Sequence, residues 1–410
     1  MVANDSPAPV TGPLSGITVV TLEQAVSAPM CTRTLADFGA RVIKIENPRG
    51  GDFARDYDDV VNGLAAHFVW ANRGKESVTV NLKDPAGMAV VHRLLGEADV
   101  FVSNLAPGAI DALGLGPAEL SSRYPELITM AIDGYGSGGP LSHKRAYDLL
   151  IQAEAGVCAV TGQPDAPAKP GPPIADVCSG LYAALTIMAM LCGRHTPGAV
   201  ATSGAAAVSL FDTAAELMGY ALNYTRHTGT DQQPLGMSSP AVAPYGAYPT
   251  ADGHTVVLGT TNDREWQRLA RDLIGRADLA ENARFASNAG RVRHRAELDA
   301  AITEWTARHD ISRIQSDADT VGIGNSRYNR PSDVIAHPHL SARRRWRSID
   351  TPAGPVTALL PPPIIDGWQP PMGAIPALGQ HTDAVLAHLG FDAGAVARLR
   401  ESGAIGPAAG

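Results

Sequence analysis

One carboxylate, Asp176, stands at the mouth of an otherwise small or apolar run, GPPIADVCSGLYAALTIMAMLC (171–192). Asp is a favoured N-cap, because its oxygen accepts from the orphan N–H groups of a first helical turn. Leu181, Ala184, Leu185, Met188 and Leu191 recur at helical spacing, which predicts a buried helix behind it. On spacing alone, capping accounts for Asp176. A carboxylate can also serve as a covalent nucleophile. No rival nucleophile carries its usual signature: there is no CxxC, no serine elbow, and no His beside Tyr147. The pair Tyr147–Asp148 offers an acid but a poor base, since a tyrosine titrates near about 10.

A second motif invites a nucleotide reading. GYGSGG (134–139) matches G-x-G-x-x-G after a predicted strand. A dinucleotide site also needs a helix starting at once and an acidic residue beside the next strand. Pro140 and LSHKR follow instead, so a glycine-rich turn is expected.

The elements that would position these groups alternate. Strands are expected at 17–21, 41–46, 77–82, 99–104 and 127–132, with helices at 29–38, 85–96 and 117–124. That alternation predicts a parallel, doubly wound α/β sheet, whose ligands bind beyond the carboxyl ends of the strands. Those ends are Glu23–Ser27, Glu46–Asn47, Leu82–Lys83, Asn104–Leu105 and Asp133–Gly136. RHTPGAVATSGAAA reads as a loop, and a helix is expected from about 212 to 226. A Pro/Gly-rich stretch then opens a second unit with a strand at 254–259. A helical stripe of Trp266, Leu269, Ala270, Leu273 and Ile274 follows. Helices are expected around 383–389 and 394–401.

Composition narrows the function classes. The net charge of −8 and an aromatic share of 5% argue against nucleic-acid binding. Cys31, Cys158, Cys178 and Cys192 lack zinc-site spacing, so no metal is expected and a reducing, cytoplasmic setting is. MVANDSPAPV lacks the basic start and apolar core of a signal peptide, and residues 181–192 are too short to span a membrane.

Several stretches, in order along nearly the whole chain, resemble the family III CoA-transferases (the CaiB/BaiF family, which includes formyl-CoA transferase and the α-methylacyl-CoA racemases). They include GITVVTLEQAVSAPMCTRTLADFGARVIKIENPRGGD, ANRGKESVTVNLKDPAG, VFVSNLAPGAIDALGLG, RAYDLLIQAEAGVCAVTGQPD and PPIADVCSG. The resemblance implies a large Rossmann-like domain over 1–200, a linker at 201–225, a smaller α+β domain over 226–330, and a return to the large domain over 331–410. It also implies two chains threaded as an interlocked homodimer. The family's catalytic aspartate falls on Asp176, which would carry CoA through an aspartyl anhydride and an aspartyl-CoA thioester. CoA contacts fall on Val26, Ser27, Asn47, Val80, Leu82, Lys83, Asn104, Leu105, Ala106, Arg145, Tyr147 and Asp148. Arg145 and Lys83 suit phosphates. An arginine that some members use falls on Ala112, and Val26 stands where some relatives place a glutamine over the nucleophile. The active-site flap falls on Gly259, Thr260 and Thr261, whose backbone N–H groups are candidate oxyanion donors; the bland alternative is a strand-to-helix connection capped by Asn262 or Asp263. The racemases carry His–Asp where this chain has Tyr147–Asp148, which favours transfer over racemisation. The implied substrates are acyl-CoA and a free carboxylic acid, with a dicarboxylate or hydroxy acid favoured and no permanently bound cofactor. Racemisation, or CoA binding without turnover, are the alternatives.

Overall fold

The structure, a computed structural model, describes residues 12–407. It divides into two compact units. One comprises Met1–Ala155, Gly171–Met218 and Ala342–Gly410; the other comprises Gly156–Pro170 and Gly219–Ser341.

The first unit is built on six parallel strands: β1 (Thr18–Leu22), β2 (Arg41–Glu46), β3 (Lys75–Thr79), β4 (Val100–Ser103), β5 (Ile128–Asp133) and β6 (Gly204–Ser209). Their spatial order is β3-β2-β1-β4-β5-β6, so the order reverses between β1 and β4. That switch point opens a crevice at the strands' carboxyl ends. β6 lies inside the stretch expected as loop and linker. Its alanines have weak strand propensity, but β5 offers an open edge, and Ile128↔Gly204 through Asp133↔Ser209 pair in register. The expected helix at 212–226 is two helices, Leu210–Leu217 and Gly219–Thr228, on either side of Met218.

The strand expected at 77–82 pairs with β2 only through Thr79, and Val80 makes a lone bridge to Ile405. The C-terminal return covers this sheet edge. Ser77 N–H donates to His381 Nδ1 at 3.1 Å, and Thr79 N–H donates to Thr382 Oγ1 at 3.1 Å. Val385, Leu386, Leu389 and Ile405 share one core with Val20, Ile43, Val78 and Phe101.

Helix α1 (Ser27–Asp37) follows β1, α2 (Asp148–Glu154) follows the glycine-rich turn, and α3 (Ile174–Gly193) carries Asp176. α3 is 20 residues long and apolar enough to cross a membrane by length and composition, longer than the sequence suggested. Here one face of it packs against α1. Ala183, Ala184, Ile187, Met190 and Leu191 are buried, whereas Leu181 and Leu185 of the expected buried stripe are exposed. Small residues allow the close approach: a Cβ on Gly180 would lie 2.4 Å from the Ser27 carbonyl oxygen.

The second unit contains a three-stranded antiparallel sheet, Tyr245–Pro249, Thr255–Gly259 and Gly324–Arg327, covered by helices. The stripe Trp266, Leu269, Ala270, Leu273 and Ile274 is buried as expected, against Val256, Leu258, Phe285 and Ile302.

Candidate active site

Asp176 is not the cap of its helix. The N-cap position is Pro173, which has no side chain able to accept, and Asp176 sits in the first turn. The cap comes from the start of α2. Asp148 Oδ1 accepts from Ala175 N–H at 3.0 Å and from Asp176 N–H at 3.4 Å, while its Oδ2 accepts from Gln152 Nε2 at 2.6 Å. The Asp176 carboxylate is left without a hydrogen bond among the described residues. Burial pushes its pKa up, and the neighbouring negative charge of Asp148 adds to the shift, bringing it to about 7. The partial positive charge of a helix start favours ionisation, but here burial prevails.

Asp176 opens onto a cavity of about 310 Å³ at the switch point. Ser27, Asn104, Leu105, Ala106, Arg145 and Tyr147, all named from the sequence, line it too. A second cavity, of about 650 Å³, lies beyond the ends of β1 and β2 and the residues after β3; Asn47, Val80, Leu82 and Lys83 line it. Gln24 and Leu105 line both, so the two are neighbours.

Two of the expected contacts are not among the residues that line these two cavities. Val26 is 5% exposed, within the core, and Asp148 is occupied in capping. Tyr147 is 60% exposed and its hydroxyl has no partner among the described residues. Arg145 is exposed and unpaired among the described residues, whereas Lys144 beside it is bonded to Glu154 at 2.9 Å. Two of the flap amides already have partners. Thr260 N–H donates to the Pro244 carbonyl at 3.0 Å and Thr261 N–H to Glu265 Oε2 at 2.7 Å, so these amides are committed. Asn262 caps the next helix by accepting from Glu265 N–H at 3.0 Å, the strand-to-helix connection that was the bland alternative.

Sequence reasoning passed over Gln24, Phe53 and Lys144 in the first cavity and Arg49 in the second. Gln24 falls within the predicted strand-end stretch Glu23–Ser27, and Arg49 follows the next strand end, so topology held the signal.

The loop that carries Gln24 is unusually well held. Asn104 Oδ1 accepts from Gln24 N–H at 2.9 Å and Asn104 Nδ2 donates to the Gln24 carbonyl at 2.9 Å and to Ser27 Oγ at 3.1 Å. Ala25 takes a left-handed conformation with φ 61°, which costs a non-glycine residue about 1–2 kcal/mol. Asp52 Oδ1 holds it by accepting from Ala25 N–H at 3.0 Å, and Asp52 Oδ2 accepts from Lys44 at 2.6 Å.

Beneath this loop lies a fully buried charge cluster. Glu23 accepts from Lys75 at 2.6 Å, from Lys44 at 3.3 Å and from Thr32 at 2.6 Å. Asn72 Oδ1 takes a further bond from each lysine, at 3.1 and 3.0 Å.

Residues 14–382 match the model of CoA-transferase family III. The chain is 33% identical to a succinate–glutarate CoA-transferase of Agrobacterium fabrum over 395 residues, covering 92% of this chain and 96% of that protein. It is 31% identical to a succinyl-CoA–D-citramalate CoA-transferase of Chloroflexus aurantiacus, covering 92% and 94%. A crystal structure of a CaiB/BaiF family protein from Brucella suis superposes with a TM-score of 0.78 at 31% identity, covering 92% of this chain and 100% of that one.

Proposed function

The chain belongs to CoA-transferase family III, and from that premise we propose that it moves CoA from an acyl-CoA donor to a free dicarboxylate or hydroxy acid, with Asp176 as nucleophile. One observation carries the reading: Asp176 is a carboxylate on a cavity wall, unpaired among the described residues, with its pKa raised to about 7. When ionised, such a carboxylate is more basic and more nucleophilic than an ordinary aspartate. It attacks the donor thioester, expelling CoA thiolate and leaving a mixed anhydride. The thiolate then attacks the aspartyl carbonyl, releasing the donor acid and forming an aspartyl-CoA thioester. The acceptor carboxylate reverses both steps. The thioester's energy is conserved throughout, provided water is kept from the acylated aspartate.

CoA is a substrate here. The two neighbouring cavities suit an extended thioester, its sulfur end near Asp176 and its phosphates near Lys83 and Arg145. In the first unit Leu149, Leu150, Leu181, Tyr182 and Leu185 are exposed, an apolar surface that fits association of two chains as a homodimer. The four free cysteines suit a reducing, cytoplasmic setting.

The test is incubation with succinyl-CoA and a panel of free acids, read by mass spectrometry. New acyl-CoA species are the expected result. Deuterium exchange at an α-carbon without acyl exchange would indicate racemisation instead, and retained CoA with neither reaction would indicate binding alone.

A further inference from the structure

The first cavity holds a neutral donor that the aspartyl mechanism does not yet use. Gln24, just beyond β1, is half-buried and lines the cavity with Asp176. Its Oε1 accepts from Phe53 N–H at 3.0 Å. A backbone amide can only donate, so the oxygen end of the carboxamide must face Phe53 and the NH2 end is left over. Among the described residues, neither N–H of that NH2 has a partner. The backbone cannot swing it away, because Asn104 grips Gln24 on both its N–H and its carbonyl, and Asp52 grips Ala25 in its left-handed conformation. The Val26 side chain is buried and apolar and has no donor to offer.

We propose that Gln24 is a catalytic residue whose Nε2–H donates to the carbonyl oxygen on which charge develops as Asp176 exchanges its acyl partners. This rests on the aspartyl mechanism proposed above. When the CoA thiolate attacks the aspartyl carbonyl carbon, a C–S bond forms and the C=O π pair moves onto oxygen. Collapse restores the C=O bond and expels the donor carboxylate. Gln24 donates to that oxygen throughout and keeps its proton. A neutral amide suits the task. A cation in its place would pair with the resting Asp176 carboxylate and stabilise the ground state as much as the transition state.

The experiment follows exchange of labelled succinate into succinyl-CoA by wild type, Gln24→Met and Gln24→Glu. Hydroxylamine trapping of Asp176 is run on the wild type in parallel. Gln24→Met keeps the length of the side chain and removes the donor; Gln24→Glu also keeps the acceptor for Phe53 N–H. Loss of one oxyanion donor predicts a fall in kcat of about 100-fold or more, with KM for succinyl-CoA within about threefold. Melting temperatures should stay close to wild type, and if Gln24→Met does not fold, Gln24→Glu decides. Exchange within about threefold of wild type in a folded variant, with Asp176 trapped in the wild type, overturns the role of Gln24 alone. Failure to trap Asp176 in a wild type that exchanges overturns the aspartyl mechanism, and this proposal with it.

Discussion

Glu23 and Asp176 are both drawn out of water, yet they end with opposite acidities. Burial pushes each upward. At Glu23 the ammonium groups of Lys75 and Lys44 overcome it and hold the carboxyl at about 2. At Asp176 no paired cation opposes burial, and Asp148 adds to it, so the group reaches about 7. Partners, more than depth, decide which buried carboxylate is structural and which is reactive. The cluster is not free of tension: burial, with Lys44 nearby, brings Lys75 down to about 8 despite Glu23. It holds the loop on which Gln24 and Ser27 stand, while Asp176 retains unspent capacity to react.

The contrast can be broken at either end. The largest effect expected is on turnover: Asp176→Asn should lose acyl exchange by several orders of magnitude while keeping CoA affinity, since an amide cannot serve as this nucleophile. Assays on freshly prepared protein, before any deamidation, check this. At the other carboxylate, Lys44→Met leaves Glu23 and Asp52 short of a cation. It should destabilise the fold by about 3–5 kcal/mol in denaturant titrations, because breaking a buried pair leaves uncompensated charge.

The two carboxylates should also respond to pH in opposite senses. Glu23 binds its proton less readily folded than unfolded, so its contribution is present above about pH 4.5 and is lost as the pH falls toward 2. Asp176 binds its proton more readily when folded. Stability therefore declines as the pH rises from about 4 to 7, where the unfolded chain has released that proton and the folded one still holds it. Asp176→Asn should remove this decline and gain on the order of 2 kcal/mol at neutral pH, allowing for the partial access of water to the group. Single-turnover acylation in the wild type should rise with pH through about 7 and then level off, because the ionised form is the nucleophile. The smallest effect is at the rim. Arg145→Ala should weaken CoA binding by roughly 1–3 kcal/mol by calorimetry, if its guanidinium meets a phosphate. Unchanged affinity would leave it a surface charge.

Much of this was legible in the residues. Alternation of β-branched strands with helices gave the parallel sheet, and the strand ends then pointed to both cavities before any side chain was placed. The stripe through Trp266 was legible because its helical period coincides with burial. The sixth strand was not, because alanines and glycines carry no strand signature and only the open edge of β5 recruits them. The buried face of α3 was misread for a related reason: small residues such as Gly180, Ala183 and Ala184 make up much of it, while Leu181 and Leu185 of the expected stripe point outward. The raised pKa of Asp176 was invisible too. It depends first on burial and then on Asp148, which is distant in sequence and reaches the helix start through space.

The central claim, covalent catalysis at Asp176, is tested most directly by trapping. Enzyme mixed with acyl-CoA donor and no acceptor is treated with hydroxylamine or borohydride, and its peptides are weighed. The account predicts a hydroxamate or an alcohol in the peptide containing Asp176 and in no other. If that peptide stays unmodified while acyl exchange proceeds, Asp176 is not the nucleophile.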